Sequence, residues 1–214
     1  MTKAQLKALA KQAWKEVEQP RLFMLLCVVG IVAMVLFPTD IESYHGGPPD
    51  RSVLVVTTDK YLRFVNTAAQ AALPFIERDP IGVMQVIYVA IGTTVATHAM
   101  KRALDRWTVW DTRLGERPGS AKSRHNMPSG HSSMASCAVY FVSRRYGWWH
   151  LLYQVPIMLL TMYARVELEA HTVAAVIAGM LVGLLMAALF TGKRRLAAAP
   201  PPAAVASNEL SYGA

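Results

Sequence analysis

Charge is scarce in this sequence: Asp, Glu, Lys and Arg together make up 17% of its 214 residues, against 53% hydrophobic. A soluble domain carries about a quarter charged residues, so the shortage argues against one and points to a single membrane-embedded unit. Acidic residues are the scarcer sign, 14 against 22 Lys and Arg, which leaves a formal charge of +8. The basic residues fall between apolar blocks and make no continuous face, which argues against nucleic acid and for anionic phosphate or a membrane surface as partner. Cysteine is nearly absent. Cys27 and Cys137 both sit inside apolar segments, so the sequence offers neither a disulfide framework nor a cysteine metal site. Internal repeats are lacking too.

What is present is a series of apolar blocks of roughly membrane-spanning length, predicting an all-α membrane protein: a six-transmembrane-helix bundle with an N-terminal amphipathic interfacial helix. Residues 1–20 are expected to lie on the cytoplasmic surface, with Lys3, Lys7, Lys11 and Lys15 at four-residue spacing and Leu6, Leu9, Ala13 and Val17 toward lipid. They are too long and too acid-containing for a signal-peptide start. The bundle occupies 21–195. Its blocks run Leu22–Phe37, Val53–Ile76, Ile81–Met100, Ser132–Val142 with flanks, Trp148–Tyr163 and Val173–Phe190. The second block is interrupted by Asp59, Lys60 and Arg63 and reads as partly interfacial. The loop 39–52, with Gly46, Gly47, Pro48 and Pro49, is polar. Residues 196–214 are Ala/Pro-rich and predicted to be disordered.

With both ends inside, the loops 77–80, 144–147 and 192–196 carry Arg78, Arg144, Arg145, Lys193, Arg194 and Arg195, as the positive-inside bias requires. Residues 101–127 then lie outside, yet they hold Lys101, Arg102, Arg106, Arg113, Arg117, Lys122 and Arg124 against Asp105, Asp111 and Glu116. Positive charge on the wrong side of a membrane calls for a reason, and an anionic ligand is the simplest.

Pro128-Ser129-Gly130-His131 opens the fourth block, where backbone N–H groups at a helix start can cradle an oxyanion. Arg165 and His171, five residues between them, join the fifth block to the sixth on the same side. Two histidines and several cations can supply a nucleophile, a proton donor for a leaving oxygen and charge for the nonbridging oxygens of a phosphoryl group.

From Met100 to Gly179 the order of these motifs resembles the type 2 phosphatidic acid phosphatase superfamily, whose pattern is Lys-x6-Arg-Pro, Pro-Ser-Gly-His and Ser-Arg-x5-His-x3-Asp. The resemblance implies a six-helix membrane fold, a phosphohistidine intermediate and no required metal or cofactor. It implies His171 as nucleophile and His131 as the acid for the leaving group. Arg165 matches the phosphate-binding Arg, Arg117 with Pro118 the Arg-Pro of the first motif, and Ser129 with Gly130 the oxyanion cradle. Lys101 is its lysine, because it ends the third block. The run Arg113-Leu114-Gly115-Glu116-Arg117-Pro118 resembles the lipid A 1-phosphatase branch.

Three departures accompany the likeness. Fifteen residues separate Lys101 from Arg117, which leaves Arg102, Arg106 and Arg113 as alternative cations. Ala164 stands where the family has Ser. Ala175 stands where the family places the Asp that orients its nucleophile. Glu167, four residues before His171, is the first substitute, ahead of Glu169. His45, His98 and His150 read as interfacial polar residues, and His125 stays open. Trp107, Trp110, Trp148 and Trp149 read as interface anchors.

The expected activity is hydrolysis of an anionic lipid phosphate at the outer face of a bacterial inner membrane, with lipid A 1-phosphate ahead of phosphatidylglycerol phosphate and undecaprenyl pyrophosphate. A lipid-to-lipid phosphotransferase shares every motif. A catalytically silent lipid-binding protein is the third reading, supported by Ala175.

Overall fold

The computed structural model describes residues 2–41, 44, 49–120 and 122–194. The expectations for His45, Gly46, Gly47, Pro48, Arg195 and the 196–214 tail lie outside the described residues. Helices α1 (Lys3–Lys15), α2 (Arg21–Leu36), α3 (Val53–Thr57), α4 (Arg63–Ile76), α5 (Pro80–Leu104), α6 (Gly130–Tyr146), α7 (Leu151–Glu167) and α8 (Val173–Phe190) carry the fold. A π-helical turn, Thr58–Leu62, joins α3 to α4 into one rod over the second apolar block. Two helices, α5 and α8, are long and apolar enough to cross a membrane, and α2 is a shorter apolar helix.

The ends of the helices follow local chemistry. Thr2 and Gln5 form a reciprocal capping box at α1. Asp79 caps α5 by accepting from Gly82 N–H at 2.8 Å, with Pro80 at the first helical position. Ser129 caps α6 and Thr172 caps α8, each through its hydroxyl. Gly147, at φ 125°, ends α6 in a conformation that side chains avoid.

Helix α6 is central and meets α8 backbone to backbone. A Cβ on Gly179 would lie 2.3 Å from Ser129 O, and one on Gly183 2.1 Å from Ser133 O. Only glycine permits this approach. It carries Ser129 N–H onto Ala175 O at 2.8 Å and so pins the start of α6 to the first turn of α8. Around α6, Val89, Phe141, Val142 and Ala187 form a buried cluster between α5, α6 and α8.

At the opposite end of the bundle a second fixed point is ionic. Arg145 donates to both oxygens of Asp79, at 2.5 and 2.8 Å, and to Gln85 and Gly192 O. The Arg144–Glu18 and Arg194–Glu77 pairs flank it. This clasp corrects the reading of α1. Ala13 is fully buried rather than turned to lipid, and Val17 lies beyond the helix. Gln85 and Tyr88 donate to the Ala13 and Ala10 carbonyls, and Trp14 packs on Tyr88 and Phe190. The helix is docked on α5 and the end of α8, with Leu6 still exposed.

Candidate active site

Lys101, Arg117, Gly130, His131, Arg165 and His171 line one cavity of about 550 Å³. It lies at the end of the bundle away from α1, where α5 and α7 finish and α6 and α8 begin.

The five-residue gap between Arg165 and His171 is closed by a turn. Arg165 O accepts from both Ala170 N–H and His171 N–H at 3.1 Å, and Glu169 takes φ 50° to allow it. Arginine and histidine are thereby brought to the same lip of the site.

The long gap between Lys101 and Arg117 is closed differently. The residues between them hold a two-stranded hairpin, β1 (Thr108–Val109) with β2 (Thr112–Arg113), folded outside the cavity. Lys101 Nζ then donates to His125 O at 2.7 Å, and Arg117 Nη2 reaches the same carbonyl at 3.4 Å. Lys101 is thus the cation that accompanies Arg117. Arg102 is exposed, and Arg106 and Arg113 line a separate outer recess with Lys122 and Arg124. Arg113 holds the loop together, donating to Ser123 O at 2.6 Å and pairing with Asp105. Pro118 is buried beside it in sequence but is not a lining residue of the cavity.

His171 is 2% exposed, and its Nδ1 lies 2.8 Å from Asn126 O. A carbonyl only accepts, so Nδ1 carries the hydrogen and Nε2 the lone pair. Burial, then the charges of Lys101, Arg165 and Arg117, hold the imidazole well below the ordinary histidine range and therefore neutral. This replaces the expected Glu167 partner. Glu167 ends α7, where its backbone carbonyl accepts from Asp50 N–H. Asn126 is itself fixed by Thr172, whose N–H donates to Asn126 Oδ1 at 3.1 Å. A carboxylate at Ala175 would sit in a fully buried apolar cluster with Leu114, Met127, Ala174 and Ala178.

Ser129 is fully buried, its N–H spent on Ala175 O and its hydroxyl on Ser132. The first-turn N–H groups of Gly130 and His131, residues that line the cavity, have no intrahelical acceptors, as at any helix start, and are available to an anion.

Two residues of the site escaped the sequence reading. Asp59 Oδ1 accepts from Arg165 Nη1 at 2.7 Å and from Arg63 Nη1 at 3.3 Å, and Arg63 Nη1 donates to His131 Nε2 at 2.7 Å. Arginine cannot accept, so Nε2 of His131 holds its lone pair toward the guanidinium. The charges that seemed to weaken the second block are drawn to the site by the π-helical turn, while Lys60 stays exposed. Of the other histidines, His98 is an exposed lining residue of the cavity, and His125 serves through its carbonyl. His150 is buried, stacked on Trp149 and bonded to Tyr153.

Residues 82–196 match the PAP2 superfamily. The chain belongs to that superfamily. The match spans more than half the chain and contains every cavity residue named above from Lys101 to His171. This PAP2 member is 48% identical over 139 residues to a lipid A 1-phosphatase of Helicobacter pylori, covering 65% of this chain and 72% of that protein. The enzyme of the same name from a second strain is 46% identical over 138 residues. A lipid A 4'-phosphatase of H. pylori is 39% identical over 84 residues, 42% of its length. Among solved structures it is similar to the PAP2-type phosphatidylglycerolphosphate phosphatase of Bacillus subtilis, at 18% identity and a TM-score of 0.41, covering 86% of this chain and 90% of that one. The PAP2 member described here is accordingly a membrane phosphatase.

Proposed function

We propose that this phosphatase removes the 1-phosphate of lipid A at the periplasmic face of a bacterial inner membrane, with six spans and a phosphohistidine formed on His171. The observation that carries the reading is the convergence of His171, His131, Lys101, Arg117 and Arg165 on one cavity. The names of the two lipid A 1-phosphatase relatives support the substrate. Three of the six apolar segments enter the site end of the bundle and three leave it, which accords with both chain ends inside.

In the mechanism, Nε2 of His171 attacks phosphorus as the bond to the lipid oxygen breaks. Lys101, Arg117 and Arg165, with the N–H groups of Gly130 and His131, hold the nonbridging oxygens. An arriving phosphate monoanion competes for Arg63, which releases Nε2 of His131 to take up the substrate's own proton and pass it to the departing oxygen. Water then cleaves the phosphorus–nitrogen bond, with His131 taking its proton.

Purified protein in detergent, given lipid A, phosphatidylglycerol phosphate and undecaprenyl pyrophosphate in turn, should release inorganic phosphate fastest from lipid A, with loss at the 1-position by mass spectrometry. His171→Ala should abolish release. Phosphate appearing on a second lipid identifies a transferase. No turnover of any lipid identifies a silent binder. Retained release by His171→Ala removes the phosphohistidine.

A further inference from the structure

The cavity does not stop at the phosphate-binding cations. It continues along α5 past Thr97, Thr94, Thr93 and Ala90, and on the α4 side past Thr67 and Gln70. Lys101, Thr97 and Thr93 recur every four residues on one face of α5, so the cavity descends about 6 Å to Thr97 and about 12 Å to Thr93 below the lysine. Thr93, Thr97 and Gln70 are 6%, 4% and 4% exposed.

Buried polar groups in a helical bundle are almost always paired. Here they are not. Among the described residues, Thr67 Oγ1, Gln70 Nε2, Thr93 Oγ1 and Thr97 Oγ1 have no hydrogen-bond partner of ordinary geometry, and all four side chains line the same cavity. Gln70 Oε1 takes only a long 3.7 Å contact from the Cys137 thiol, which also lies beside Thr93. An apolar acyl chain laid against these groups would leave each of them unsatisfied. A hydroxyl or an amide would satisfy them, since either can donate to one and accept from another.

We infer that Thr67, Gln70, Thr93 and Thr97 form a hydrogen-bonding subsite for a hydroxyl or amide group that the lipid carries about 6–12 Å from its phosphate. The subsite rests on the proposed lipid phosphatase reading and adds a selection rule to it. Lipids with an amide-linked or hydroxylated substituent at that distance are preferred over plain diacylglycerol phosphates, whose ester oxygens accept but cannot donate and whose tails beyond them are hydrocarbon. The selection acts in binding, ahead of any proton or phosphoryl transfer.

The test compares two lipids, a phosphorylated glucosamine with an amide-linked hydroxyacyl chain and dioleoyl phosphatidic acid. In the wild type, kcat/KM should favour the first. Thr97→Val and Gln70→Met should each lower the ratio between the two lipids by about fivefold, the worth of one net hydrogen bond. Thr97→Ser, which keeps the hydroxyl, should restore it. A ratio that stays constant in Thr97→Val and Gln70→Met, whether both rates hold or fall together, overturns the subsite. Equilibrium binding of both lipids to the His171→Ala variant, with and without the two substitutions, reads the same ratio without turnover. Discrimination in binding with no phosphate release from the wild type would end the phosphatase reading and keep the subsite. Equal binding of the two lipids would end the subsite whatever the enzyme hydrolyses.

Discussion

Replacing Asp59 by Asn tests the part of the site that connects the two histidine motifs to the second apolar segment. Its carboxylate holds Arg165 at 2.7 Å and Arg63 at 3.3 Å, and through Arg63 it aligns His131. The Arg165 and Asp59 side chains are 12% and 24% exposed, so the short contact is a charge-assisted hydrogen bond worth about 1.5–3 kcal/mol net. The longer pair adds less than about 1 kcal/mol, as half-exposed pairs do. Asparagine keeps an acceptor oxygen but no charge, which puts the expected loss of positioning near 2 kcal/mol. If Arg165 and His131 act in the transition state, that loss is about 30-fold in kcat. Removing a negative charge beside a phosphate site also strengthens ground-state attraction for an anion, so KM should stay level or fall. Steady-state phosphate release in detergent measures the split, with Lys60→Gln, an exposed neighbour, as the control expected to change neither constant. A rise in KM with kcat preserved, or no change in either, would refute the assignment of Asp59.

The depressed His171 sets the pH behaviour. Because the folded imidazole stays neutral where an ordinary histidine protonates, the unfolded chain takes up the extra proton below about pH 6.5, and stability should decline as pH falls through that point. For the same reason the acid limb of kcat/KM due to the nucleophile should lie below pH 6.5; a limb at or above it counts against a neutral His171. Gly183→Ala should lower stability by about 1–3 kcal/mol in thermal unfolding, because its Cβ meets Ser133 backbone. Gly30→Ala meets only the end of the Leu181 side chain and should cost far less; equal costs would contradict the packing of α6 on α8. Asp79→Asn removes the negative charge paired with a guanidinium whose side chain is 1% exposed, and should cost about 3–5 kcal/mol. A loss below about 1 kcal/mol would show that the clasp does not hold that end of the bundle.

Much of this was legible in the residues. The apolar blocks became helices at the expected places, and Lys101, Arg117, His131, Arg165 and His171 meet as the motif order implied. What stayed hidden was hidden for physical reasons. Asp59 and Arg63 looked like interruptions because hydropathy weighs charge without direction, and a π-helical turn changes which face a residue occupies. The partner of His171 is a backbone carbonyl, which every residue has and no sequence pattern marks. Glu167 was favoured by helical spacing, but α7 ends there and the following turn is not helical. Ser129 was read as part of an oxyanion cradle, yet the close approach to α8 that takes its N–H depends on glycines fifty residues away.

The insertion after Lys101 has a different significance once its two ends are seen to share the carbonyl of His125. A loop tied at its base this way can vary at its tip without moving the residues at its base. Lengthening it costs only slowly growing closure entropy, about 0.6 kcal/mol for each doubling. The hairpin, its exposed Trp107 and Trp110, and Arg106 of the outer recess therefore sit on a segment that can be rebuilt while Lys101 and Arg117 stay in place. Spacing between motif residues is a poor measure of kinship in such a chain; the shared acceptor is the quantity that has to be kept.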